Sequence, residues 1–201
     1  MLGAPTAKEI ILVSGITLSL IFLAVYKFGE KYEKILMDLA SKLNLNYKSG
    51  ILRGKPRLWG NYRNHDVRLS YAQYSFRGIV EQYNNFTVKL SRNISNGFTI
   101  NKKRYFLRLK GSFEIGDPYF DENFTVRFIS LDRESFLKEE IKRILDSSTI
   151  QKLLELDLVK LEVSSSEISL ETKAWNFDQG WITDTLNFCV DLAEKIERSK
   201  L

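Results

Sequence analysis

Apolar residues follow three successive rhythms along this chain of 201 residues. Ile10 to Tyr26 reads IILVSGITLSLIFLAVY, seventeen positions without a charge. A helix rises about 1.5 Å per residue and the hydrocarbon core of a bilayer is about 30 Å thick, so this run with Phe28 is long enough to cross. Thr6-Ala-Lys-Glu9 fits a capping box, and Pro5 cannot extend a helix backwards, which starts the span near Thr6. A cleaved signal peptide would have a shorter apolar run closed by small residues, whereas this one closes Leu23-Ala-Val-Tyr-Lys27. The pattern predicts a membrane anchor over residues 1–29, with 10–28 in the bilayer.

From Glu30 the apolar residues Tyr32, Ile35, Leu36, Leu39, Ala40 and Leu43 fall three and four apart, the spacing of an amphipathic helix. The period then drops to two. Leu58, Gly60 and Tyr62 alternate with polar residues, as do Val67, Leu69 and Tyr71, which predicts a hairpin turning at Asn64-His65. Further strands are expected at Phe86–Leu90, after the Asn96-Gly97 turn, at Tyr105–Leu109 and at Phe124–Phe128. Helix returns behind Asp132 and again at Ser148-Thr-Ile-Gln151, a second capping box. A hairpin around Ser164–Glu167 and a last helix from Asp178 complete the chain. Most strand runs have one apolar and one polar side, the mark of an antiparallel sheet covered on one face. The expected fold is α+β: an N-terminal transmembrane helix, then one domain over 30–201 in which helices pack a mainly antiparallel sheet.

Charge decides orientation. Lys27, Lys31 and Lys34 follow the span and only Lys8 and the terminal amine precede it, which predicts a single-pass protein of the cell membrane with its domain in the cytoplasm. Three N-x-S/T sequons, at Asn85, Asn93 and Asn123, point weakly the other way. Cys189 is the only cysteine and His65 the only histidine, so no intramolecular disulfide and no multi-thiolate zinc site can form. Cys189 reads as a small core residue and His65 as an exposed turn residue.

The most distinctive string is Gly116-Asp-Pro-Tyr-Phe-Asp-Glu-Asn-Phe124. It resembles the G-D-P-x-F-D-x-x-F signature of an uncharacterised family of bacterial and archaeal proteins, many of them membrane-associated. The resemblance implies an architecture and no activity. Physically the string reads as a structured turn. Asp117 and Asp121 would accept backbone amides, Pro118 would set its own φ, Gly116 would allow close approach, and Phe120 and Phe124 would anchor the loop in the core. The competing reading is a hard-cation site on Asp117, Asp121 and Glu122.

The net charge of +5 hides an asymmetry. Residues 48–113 hold fourteen Lys and Arg against only Asp66 and Glu81, while residues 114–201 hold nineteen acids against eleven bases. A candidate basic surface comprises Arg63, Arg68, Lys102, Lys103, Arg104, Arg108 and Lys110. It would face anionic lipid head groups or a membrane protein partner, or pair internally with the acidic helices. Nucleic-acid binding is disfavoured, because no RNP, KH or helix-turn-helix signature accompanies the charge. No Gly-rich phosphate loop, GxSxG or HExxH appears, so neither a cofactor nor catalysis is expected. The sequence thus points to a membrane-tethered binding or assembly module, with an enzyme built on the Gly116–Phe124 carboxylates as the alternative.

Overall fold

The computed structural model describes residues 30–50, 56–76, 79–103, 112–129, 134–173, 178–199 and 201; for 72–76, 79–82 and 134–136 it describes the backbone alone. The expected span over 10–28, the strand at Tyr105–Leu109, the cap at Asp132 and the basic residues Arg104, Arg108 and Lys110 lie outside these residues. Among the described residues no helix is long and apolar enough to cross a membrane.

Helix α1 (residues 30–43) is followed by strands β1 (Asn46–Lys48), β2 (Arg57–Tyr62), β3 (His65–Phe76), β4 (Ile79–Lys89), β5 (Phe98–Lys102) and β6 (Ser112–Phe113). Then come α2 (Pro118–Asn123), β7 (Phe124–Phe128), α3 (Glu134–Ile144), α4 (Ser147–Glu155), β8 (Leu158–Val163), β9 (Glu167–Lys173) and α5 (Gln179–Arg198). The strands form one open sheet in the order β1-β2-β3-β4-β9-β8-β5-β7-β6, and every recorded pairing is antiparallel. The fold is α+β with a mainly antiparallel sheet.

Register explains why one face is dry. Leu58↔Leu69, Leu69↔Phe86, Phe86↔Leu170, Leu170↔Leu161, Leu161↔Ile100 and Ile100↔Val126 are direct partners, so a single row of apolar side chains runs across seven strands. A second row joins Val67, Val88, Ile168, Val163 and Phe98. All of these are buried. Between Leu158 and Lys160 the β8–β9 register shifts by one residue. This bulge brings Leu158 to the same buried side as Leu161 although they are three apart. The alternate positions Arg57, Trp59, Arg68 and Lys89 are exposed, and Asn85, Thr87, Ser169 and Glu171 are half-buried.

Helices cover the dry face. Tyr32, Leu36, Leu39 and Ala40 of α1 are buried, as are Leu137, Ile141 and Ile144 of α3 and Ile182, Leu186, Cys189, Ala193 and Ile196 of α5. The Phe86 and Trp181 rings meet edge to face at 6.1 Å, which fixes the first turn of α5 over the middle of the sheet. Complete burial raises the Cys189 thiol far above its ordinary pKa, so it behaves as a core residue.

Three local expectations are corrected. His65 is not an exposed turn residue: it opens β3 with 6% exposure, and its Nδ1 lies 3.1 Å from the Lys89 carbonyl. The turn is one residue earlier, at Arg63 and Asn64, whose φ angles of 51° and 65° fit a two-residue type I′ hairpin. Helix α4 is capped by Asp146 rather than Ser148, because the Asp146 carboxylate accepts from Thr149 N at 3.0 Å and from the Thr149 and Ser148 hydroxyls at 2.8 Å.

Candidate functional site

The Gly116–Phe124 string forms a short helix rather than a turn. Asp117 sits extended at φ −94° and ψ 112°, as the residue before a proline should, and caps α2 by accepting from Phe120 N at 2.8 Å. Pro118 takes the first helical position, where its missing N–H leaves nothing unpaired. Asp121 accepts from Ile115 N at 2.9 Å and Gly116 N at 2.8 Å, folding the incoming chain onto the helix. Phe120 and Phe124 are buried with ring centroids 5.1 Å apart. Gly116 has φ +94°, but a Cβ there would meet nothing within 4 Å. Its role is therefore the backbone angle, not the close approach the sequence suggested.

Those bonds bear on the cation alternative. One Asp117 oxygen and both Asp121 oxygens already accept backbone amides, and Glu122 is exposed. Among the described residues no group of three or more His, Cys, Asp or Glu is placed to hold a metal ion.

The described members of the candidate basic surface are divided between the two ends and the polar face of the sheet. Arg63 sits at the hairpin tip beside α5, pairing with Asp191 at 2.7 Å and Glu194 at 3.1 Å, and the Asp191 hydrogen bond raises its pKa further. Lys102 pairs with Asp157 at 2.7 Å, and Lys103 donates through Nζ to the Asp121 carbonyl. Arg68 is exposed on the polar face of the sheet. Strand register places Arg63 beside the Lys89 and Glu167 end of the sheet, whereas Lys102 lies at the opposite end with Asp157 and Thr172.

That second end has a composition of its own. Exposed Lys31 and Lys34 on the first turns of α1, Lys48 at the end of β1 and Arg57 at the start of β2 lie there with Lys102 and Lys103. The placement of α1 follows from Tyr32, whose hydroxyl donates to Asn84 Oδ1 at 3.2 Å and whose ring lies 5.7 Å from Tyr71. Burial, with Tyr71 and Tyr47 near by, raises the Tyr32 phenol far above its ordinary pKa. Glu33 ties α1 to β1, accepting from Ser49 Oγ at 2.9 Å and Gly50 N at 2.7 Å. Burial and the neighbouring Glu33 carboxylate push Tyr47 up to about 12. Sequence reasoning used Lys31 and Lys34 only for orientation and passed over Lys48 and Arg57. The signal that links them is strand register, which periodicity does not supply.

A shallow cleft of about 190 Å³ lies between α4 and α5, lined by Ser148, Thr149, Phe188, Asp191, Leu192 and Lys195. Lys195 is already engaged there with Asp146 at 2.6 Å and Thr149 Oγ1 at 3.1 Å.

No protein-family model and no curated protein matches the chain. Its fold is similar to the crystal structure of a mycobacterial protein, the trehalose monomycolate transport factor A, TtfA. The TM-score is 0.51 at 6% identity, over 83% of this chain and 92% of that one. At that identity the likeness concerns the fold alone.

Proposed function

We propose that this protein is a membrane-tethered, non-enzymatic binding or assembly module, held at a bilayer by residues 10–28, with anionic lipid head groups or a membrane protein as partner. One observation carries the reading. The uncharged run ends within a few residues of α1, and α1 buries Tyr32, Leu36, Leu39 and Ala40 in the domain core. On this reading the end of the sheet at which α1 begins is the end held toward the membrane. The basic residues at that end, Lys31, Lys34, Lys48, Arg57 and Lys103, suit an anionic surface, where each contributes about 1 kcal/mol. Arg63, at the far end and doubly paired, leaves this surface.

Extraction tests the tether. Full-length protein should stay in the membrane pellet through alkaline carbonate and high salt and come out only with detergent. Release by carbonate alone would refute the anchor. A fragment comprising residues 30–201 should be soluble and melt cooperatively.

A further inference from the structure

From Leu39 to His65 the chain holds no acidic residue, and this stretch builds β1, β2 and the turn into β3. Strand register shows what gathers there on the sheet face turned away from the helices. Lys48↔Arg57↔Ser70 forms one row. Asn46↔Trp59↔Arg68 forms the next, two residues or about 7 Å further from the end where α1 begins. All but Ser70 are exposed, Trp59 to 39%.

Two features set this patch apart from an ordinary solvated face. Several cations on other elements are held by acids, Lys102 by Asp157 at 2.7 Å and Lys195 by Asp146 at 2.6 Å among them. Lys48, Arg57 and Arg68 form no ion pair among the described residues. Asp66, two residues from Arg68 on the same face, lies 3.8 Å from Lys89 Nζ. Lys48 and Arg57 are direct cross-strand partners, and like charges so placed repel and cost stability in water. The second feature is the Trp59 indole, exposed beside these cations. A lone exposed aromatic is ordinary. One flanked by unpaired cations matches the border of an anionic bilayer, where indoles sit at head-group level and each Lys or Arg gains from the surface potential.

We propose that the β1–β3 part of the polar sheet face lies against anionic lipid head groups, with Trp59 at their depth. This surface is continuous with the basic end described above, because Lys48 and Arg57 belong to both. Charge decides the occupant: three cations with no acid in either row suit an anionic surface and repel a second copy of the same patch. The inference rests on the tether proposed above, which brings this end to a bilayer. It adds a tilt, since the domain leans on one face instead of standing on its end.

Site-directed fluorescence on the full-length chain in phosphatidylethanolamine–phosphatidylglycerol liposomes tests it. The native thiol, Cys189, is completely buried and would not compete for label. An environment-sensitive probe is attached in separate variants at Asn46→Cys beside Trp59, at Glu167→Cys on the exposed far end of β9, and at Ser14→Cys in the span. Head-group nitroxide lipids should quench the probe at 46 at least twofold more than the probe at 167. That difference should vanish when Trp59→Ser and Arg68→Gln are added, or when phosphatidylcholine replaces phosphatidylglycerol. If 14 is quenched by lipid while 46 behaves like 167, the face contact is overturned and the tether stands. No lipid quenching at 14 overturns the tether and the face contact with it. Equal quenching at 46 in phosphatidylcholine overturns the recognition of anionic lipid. Protection of 46 from aqueous iodide without lipid quenching means that a second copy covers the face, and it also overturns the proposal.

Discussion

Asp146 shows how much one side chain can organise here. Burial alone would push its carboxyl up, but donors from Lys195, the Thr149 amide and hydroxyl, and Ser148 outweigh that and hold it well below the usual carboxylate range. A depressed folded pKa gives stability that is fully present above the unfolded value, about 4, and is lost as pH falls through the folded one. Asp146→Asn should therefore be destabilised at pH 7 by urea melts, and its gap from wild type should close between about pH 4 and the acid limit. A gap independent of pH would show that the charge is not what matters. Phe120 gives a second test, because its ring is buried among the anchors of α2. Phe120→Ala should cost about 3–5 kcal/mol in the same assay. Millimolar Mg²⁺ or Ca²⁺ should leave the melting temperature unchanged, since the Asp121 oxygens already serve two amides. Stabilisation by several degrees, abolished in Asp117→Ala, would restore the cation reading.

Elements were legible in the sequence where a period lasted several turns or residues. The face Leu137, Ile141, Ile144 and the α5 series from Ile182 to Ile196 emerge buried as their spacing required. What escaped was whatever depends on partners far along the chain. Ser148 looked like a cap because it begins a capping-box string, but Asp146 stands two residues earlier and reaches three donors. His65 looked like a turn residue because Asn64 precedes it, yet its surroundings come from Lys89 and Glu197, the latter 3.9 Å away. Among the described members of the basic set, Arg63 lies at the opposite end of the sheet from Lys102 and Lys103, a separation set by strand register that a count of charges does not show. At the β2–β3 hairpin, Arg63 adopts φ 51°, a conformation costing a residue with a Cβ about 1 kcal/mol, while holding two exposed acids on α5. Such exposed pairs are worth roughly 0.2–1 kcal/mol. Arg63→Gly should then be nearly neutral in urea melts and Arg63→Ala clearly destabilising. Equal losses in the two would mean that the ion pairs dominate.

For the whole molecule, the separation of the two sheet ends makes a directional prediction. Fragment 30–201 should bind phosphatidylglycerol vesicles and ignore phosphatidylcholine, and binding should fall steeply with salt, because exposed charges are screened beyond about 8 Å at physiological strength. Reversal of Lys31, Lys34 and Lys103 to Glu should weaken binding severalfold in a sedimentation assay, whereas Arg63→Glu at the far end should not. Equal losses from both would refute a lipid-facing end. The strand order has a different consequence, for the chain's life on the ribosome. β4 and β5 follow one another in sequence, yet the last hairpin, β8 and β9, is inserted between them. Until residues 158–173 have emerged, the β1–β4 and β5–β7 halves have no shared ladder among the described residues, and each carries an open edge. Any bilayer anchor supplied by residues 10–28 would be made first and the central seam almost last. The nascent domain would thus wait at the membrane surface as two incomplete sheets, and a premature stop before β8 would leave an exposed pair of strand edges rather than a shortened domain.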